Sequence, residues 1–196
     1  MISPHSDAGQ AFPIYITVVA GLLFLALAYL AVGQASVNRS GAQTAADAAA
    51  LAAAQNTRDQ LTGAWVKVLQ DPTKWQDVFD GRTVINDPCW RAVQLARQND
   101  ARLSACFSPE LLKYRADVET NKSVGRSVVP GTENVKSKAS ATAEIEPLCK
   151  FKLPDVGAKG ADLPQLTCKG KVWQVKPDDP SGLPKPEDLF DVHLAD

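Results

Sequence analysis

Four cysteines, Cys89, Cys106, Cys149 and Cys168, are the residues of this chain whose type and spacing could do chemistry. None lies in a C-x-x-C pair, and the two histidines, His5 and His193, sit at the chain ends. Zinc ligation normally needs paired cysteines or nearby histidines, so a metal site is not expected. An even number of spaced cysteines in an exported domain forms disulfides instead, and two bridges are expected. Glu144 and Glu146 are a carboxylate pair, but alternate residues on the outer face of a strand are solvated rather than poised for acid–base work. The chain has no G-x-S-x-G, S-x-x-K, H-E-x-x-H or G-x-x-x-x-G-K motif. No catalytic residue and no cofactor is therefore assigned, and the chain is not expected to be an enzyme.

The elements that hold these cysteines begin with an uncharged run, Phe12 to Val32, FPIYITVVAGLLFLALAYLAV. At 1.5 Å per residue it covers about 30 Å, the hydrocarbon thickness of a bilayer. A signal peptide would want a basic n-region and a shorter apolar stretch; MISPHSDAGQ has no Lys or Arg. A retained membrane helix is expected. All 21 Lys and Arg lie beyond Gln34, and of the 22 Asp and Glu only Asp7 lies before it, so the remainder of the 196-residue chain is formally neutral. Such a domain has no electrostatic footprint for nucleic acid. Charge says little about orientation. The cysteines favour an N-terminus inside the cell and a domain outside.

Beyond Val32 nothing breaks the helix. Eight of the ten residues Ala45 to Ala54 are Ala, the best helix former. One helix is expected from about Pro13 to Asn56 or beyond, its thin Ala face open to another helix. Thr17/Gly21 and Ala31/Ala35 have small-xxx-small spacing. Residues 42–55 are expected to form a partner-contact helix, so that Ala49→Trp would break association and spare the outer domain. Leu61, Trp65, Val68 and Leu69 extend an apolar stripe.

Asp71-Pro72 and Asp87-Pro88 are helix-start signals. They predict a short helix over 72–80 burying Trp75 and Phe79, and a longer one over 88–104 with Trp90, Val93, Ala96 and Leu103 inward. A straight helix of that length would hold Cys89 and Cys106 about 25 Å apart, far beyond disulfide reach. Either that helix is shorter or bent, or each cysteine has another partner. Period-two alternation predicts strands over Tyr114–Thr120 and Ala139–Ile145, with a less regular third over Val172–Val175. They would form a small antiparallel meander with a helix on its apolar face. The stretch 121–137 would be a hairpin connection. A Cys149–Cys168 bridge would close the loop 150–167. The Pro-rich tail from Lys176 is expected to be an extended arm with a solvated end, EDLFDVHLAD.

The segment DAGQAFPIYITVVAGLLFLALAYLAVGQASVNRSGAQTAADAAALAAAQ resembles the N-terminal module of TadE/TadG-like proteins of Flp (tight adherence) pilus assembly. The likeness rests on Gly9 before the apolar helix, the polar turn with Asn38 and Arg39, and AQTAADAAALAAAQ at 42–55. Gln43, Asp47 and Leu51, at i, i+4, i+8, mark the last motif. The resemblance covers about 50 residues and implies a membrane-anchored, pilin-like component of a pilus or secretion machine. It also implies other machinery proteins and the membrane itself as partners, through helix–helix association. Some members are cut by a prepilin peptidase after a Gly, which would be Gly9, followed by Gln10. Pilins usually carry an acid five residues after the cut, where this chain has Ile14; an uncut, TadG-like anchor is expected.

The expected fold class is α+β and pilin-like: a long N-terminal helix, transmembrane and then extracytoplasmic, with additional helices and a small antiparallel sheet. The expected divisions are a cytoplasmic stub (1–11), a single transmembrane helix (12–34), its Ala-rich continuation (35–70), an extracytoplasmic α+β domain (71–176) and a Pro-rich tail (177–196). An anchored extracytoplasmic binding or sensor module of the cell envelope is the alternative reading.

Overall fold

In the computed structural model, residues 11–123, 134–153, 163–179 and 182–195 are described. Gly9, Gln10 and most of the 121–137 connection lie outside them, as does much of the 150–167 loop.

The first element is a single helix, α1 (Ala11–Lys67), of 57 residues, about 85 Å of continuous helix. Pro13 sits in its first turn, and the Thr17 hydroxyl donates back to the Pro13 carbonyl at 2.7 Å. From Ala42 onward one stripe of α1 is buried: Ala42, Ala45, Ala46, Ala49, Ala50, Ala53, Ala54, Leu61 and Trp65. The 3–4 spacing places them on one face.

That face lies across a four-stranded antiparallel sheet of order β1-β2-β3-β7, formed by β1 (Ala101–Phe107), β2 (Lys113–Ser123), β3 (Lys136–Pro147) and β7 (Phe190–Leu194). Tyr114, Ala116 and Val118 of β2 and Ala141, Ala143 and Ile145 of β3 point into the core, alternating with more exposed neighbours. Alanines meet alanines here, so helix and sheet approach closely. α+β is thus the observed class, with a long N-terminal helix and antiparallel sheet.

The meander itself is corrected. The Val172 segment is not its third strand. It belongs to a separate small sheet of β4 (Cys149–Lys150), β5 (Leu166–Cys168) and β6 (Lys171–Trp173). Lys169 and Gly170, with φ of 46° and 81°, join β5 to β6. Two successive left-handed residues match the twist of a tight hairpin.

The predicted helix over 72–80 is a 3-10 turn (Pro72–Lys74) running into α2 (Trp75–Phe79), with Trp75 and Phe79 buried. The longer helix, α3 (Cys89–Gln98), stops well short of residue 104. Asn99 amide Nδ2 donates to the Leu95 carbonyl at 2.8 Å, and Asp100 takes a left-handed φ of 54°. Asn and Asp tolerate that conformation, which ends a helix. The chain then returns as β1. Ala92 and Ala96 face inward, whereas Trp90 is 56% exposed and Leu103 belongs to β1.

The C-terminal end is not a solvated arm. Pro186 opens α4 (Pro186–Leu189), and the Lys185 amide donates to the Asp188 carboxylate at 2.9 Å. β7 then pairs with β3 from Ala143↔Leu194 to Pro147↔Phe190. Leu189 and Phe190 are buried completely. Phe190 joins an aromatic chain through Phe79 (5.5 Å), Phe151 and Trp75 to Trp65. A segment that seals the core in this way gains the free energy of burying a Leu and a Phe, which offsets part of its ordering cost.

Candidate membrane anchor and contact helix

The two halves of α1 present different chemistry. From Phe12 to Val32, thirteen large apolar side chains are exposed, including Phe12 (71%) and Tyr29 (83%). None of the most apolar window is buried within the fold. Covering such side chains contributes roughly 2 kcal/mol each. Together that is on the order of 25 kcal/mol, more than a whole domain's net stability of about 5–15 kcal/mol. This is the described helix long and apolar enough to cross a membrane. Thr17, Gly21 and Ala35 are open on its surface.

The second half carries the motif residues. Gln43 is exposed and donates through Nε2 to the Asp47 carboxylate at 2.8 Å. Leu51, one turn on, packs half-buried against the core. The motif therefore flanks the buried Ala face. Gln43 and Asp47 line a groove of about 650 Å³ with Lys113, Arg115 and Thr142. Its cations are already engaged. Arg115 meets Asp117 at 3.0 Å, and Lys113 meets Glu110 at 3.1 Å. Glu110 chiefly, with Glu144 behind it, raises the Lys113 pKa.

The Ala face itself needs correcting. Ala49 has no exposed surface and belongs to the protein's own core. A tryptophan there would strike the protein's own core first, so the expectation that Ala49→Trp spares the domain does not hold. The absence of Pro and the run of Ala predict the helix; they do not say which surface covers it.

Both disulfides are formed. Cys89 and Cys106 have Cα atoms 5.9 Å apart. The short α3 rises about 14 Å and β1 returns over about 17 Å, so the two cysteines meet at one level. The Asp87 carboxylate accepts the Cys89 amide at 2.9 Å, securing the start of that helix. Cys149 and Cys168 are directly opposite in the β4–β5 ladder, with Cα atoms 4.0 Å apart. The Asn99-Asp100 pair was the signal in the sequence that could have shortened α3 and paired Cys89 with Cys106 in advance.

Among the described residues no group of three or more His, Cys, Asp or Glu could hold a metal ion. Glu144 is half-buried and lies 3.6 Å from Lys113, while Glu146 is exposed. His193 lies 3.4 Å from Asp191 on the edge strand, both partly exposed.

No curated protein and no solved structure matches the chain. Residues 9–56, about a quarter of the chain, match the Tad family model, Flp pilus-assembly TadE/G-like. The match takes in the whole apolar half of α1 and the Gln43, Asp47, Leu51 motif, and it supports a role in pilus assembly. The N-terminal part of this protein, residues 9–56, is similar to the TadE/G-like Flp pilus-assembly family.

Proposed function

We propose that this protein is a membrane-anchored structural or assembly component of a Flp-type pilus or a related secretion apparatus. Residues 12–34 are the anchor, and the domain they carry stands outside the cytoplasm. The observation that carries this reading is the continuity of α1. One unbroken helix runs from an uncovered apolar surface into the core of a folded domain, and the TadE/G-like match spans that transition. Two disulfides agree with a domain in an oxidising compartment. The partners are other proteins of the pilus machinery, met through the open small-residue positions of the anchor and through the Gln43, Asp47, Leu51 motif, whose first two residues line the groove. Ile14, where an acid would offset a neighbour's ammonium in lipid, favours a permanent TadG-like anchor over a pseudopilin cut between Gly9 and Gln10.

The test is deletion in the host, with complementation by the full chain or by the chain lacking residues 12–34. Loss of Flp pili, restored only by the full chain, is expected. Undiminished piliation in the deletion strain overturns the proposal. Intact mass from native membranes separates its two forms: full length supports the permanent anchor, and loss of residues 1–9 the pseudopilin.

A further inference from the structure

At the junction between the apolar half of α1 and the domain, the end of β2 folds back onto the helix. Asn38 Nδ2 donates to the Lys122 carbonyl at 3.5 Å. Lys122 and Ser123 close a groove of about 490 Å³ over Tyr29, Leu30, Gly33 and Val37. The floor of this groove starts inside the uncharged run and extends about 12 Å along the helix beyond Tyr29. It therefore crosses from hydrocarbon depth to headgroup depth.

The mouth of the groove is cationic. Lys122 is highly exposed, and its ammonium meets Asp100 at 3.2 Å in a pair open to solvent on both sides. Exposed pairs of this kind are weak and yield to a competing anion. Lys136 lies opposite Ser123 in the β2–β3 ladder. Arg39 and Lys138 line the adjoining surface with Ser36 and Gln43. Among the described residues, Arg39, Lys136 and Lys138 have no carboxylate partner. Glu119, opposite Lys138 in the ladder, is taken by Arg102 at 3.5 Å. Val135, half exposed, adds apolar surface at the same hairpin end.

We propose that an anionic phospholipid occupies this groove. Its acyl chain lies along Tyr29, Leu30 and Gly33, and its phosphate faces Lys122 and Ser123 in the field of Arg39, Lys136 and Lys138. A soluble anion would make no use of the apolar floor. A second copy of the helix would fill the floor but leave the cations unmatched. A lipid satisfies both, and it reaches the floor without leaving the bilayer. Held there, it fixes the domain against the membrane surface. The proposal rests on the anchor reading given above.

The test uses the full chain in nanodiscs of phosphatidylcholine, with or without phosphatidylglycerol. Lipid retained on the protein in detergent is read by native mass spectrometry, and protection of the β2 end by hydrogen exchange. Phosphatidylglycerol should be retained in preference, and Lys122→Gln should lower that preference about fivefold, the worth of one cation near an anionic surface. Gly33→Leu should abolish retention with every cation in place, because a Cβ at Gly33 enters open space above the floor. Equal retention of the two lipids, or no effect of either variant, overturns the proposal. So does equal protection by inorganic phosphate in phosphatidylcholine discs, or protection that needs two copies per disc. Failure of the chain to stay with membranes in alkaline carbonate overturns the anchor reading instead, and is seen separately.

Discussion

The two halves of α1 share backbone geometry and differ in everything outside it. Between Phe12 and Val32 the helix is apolar all round and its large side chains stay exposed among the described residues; from Ala42 to Lys67 it is amphipathic, and its small face is buried in the core, where the helix meets β2, β3 and α3. A helix that is apolar all round needs lipid or other protein on every side, whereas a striped helix needs one sheet. The first half therefore tolerates bulk and refuses charge. The second tolerates charge on its open side and refuses bulk in its stripe. Ala is common to both, so residue type alone does not separate an intermolecular contact from an intramolecular one.

The sharpest way to break this comparison is to truncate one aromatic in each half. Trp65→Ala removes a side chain with no exposed surface, next to Trp75. It should cost about 3–5 kcal/mol of domain stability in urea unfolding, while Phe24→Ala leaves the same transition unmoved. Equal effects would show that the apolar half is also part of the folded core.

Charge tests the other side of the contrast. Leu25→Asp should disfavour membrane insertion by about 3 kcal/mol, seen as chain released by carbonate, with the thermal transition of the domain unchanged. The disulfides bear on the domain half alone. Cys89→Ser with Cys106→Ser opens a bridge of sequence separation 17 and should cost about 3 kcal/mol of domain stability. It should not alter membrane retention.

Ala49→Trp should destabilise the domain by about 1–3 kcal/mol through overpacking, whereas Ala26→Trp in the apolar half should not. A stable domain carrying Ala49→Trp would return that face to intermolecular contact.

The smallest effect is a pH dependence at the domain's far end. The Thr73 hydroxyl, then Lys74, lowers the Asp71 pKa below 3.8. A carboxylate lowered by folding adds stability above its unfolded pKa, and that stability is lost as pH falls through the folded value. Asp71→Asn should therefore lower the domain's stability slightly at neutral pH, with the difference vanishing as pH falls through the folded Asp71 value, so that the acid limb is flatter. The site is fully exposed, so the change should be small.

Much of the architecture was legible in the residues. The apolar run and the Ala-rich extension specify α1, because helix formation there depends on local propensity and on the absence of breakers. The alternation in Tyr114–Thr120 and Ala139–Ile145 specifies β2 and β3. Asp71-Pro72 places α2, and Cys149 and Cys168 found each other across β4 and β5. The failures have separate causes. The pattern in 88–104 continues its apolar spacing past Asn99-Asp100, and the left-handed turn there outweighs it. Phe190, Val192 and Leu194 alternate as a strand should, but the prolines before them masked the signal. Of the candidate site, the long apolar helix and the likeness that takes in Gln43, Asp47 and Leu51 were readable. The groove between Tyr29 and Lys122 was not, since it joins residues more than 90 positions apart.

Local chain chemistry thus determined that there is one long helix, where it is apolar, and that the four cysteines pair rather than ligate. Only the tertiary structure decided what covers each face: the sheet over the alanines, β7 at the sheet's edge, α3 short enough for Cys89 to meet Cys106, and the β2 end against the junction. Those outcomes depend on contacts between distant residues. Burial free energy, rather than propensity, selects among the alternatives that the sequence leaves open.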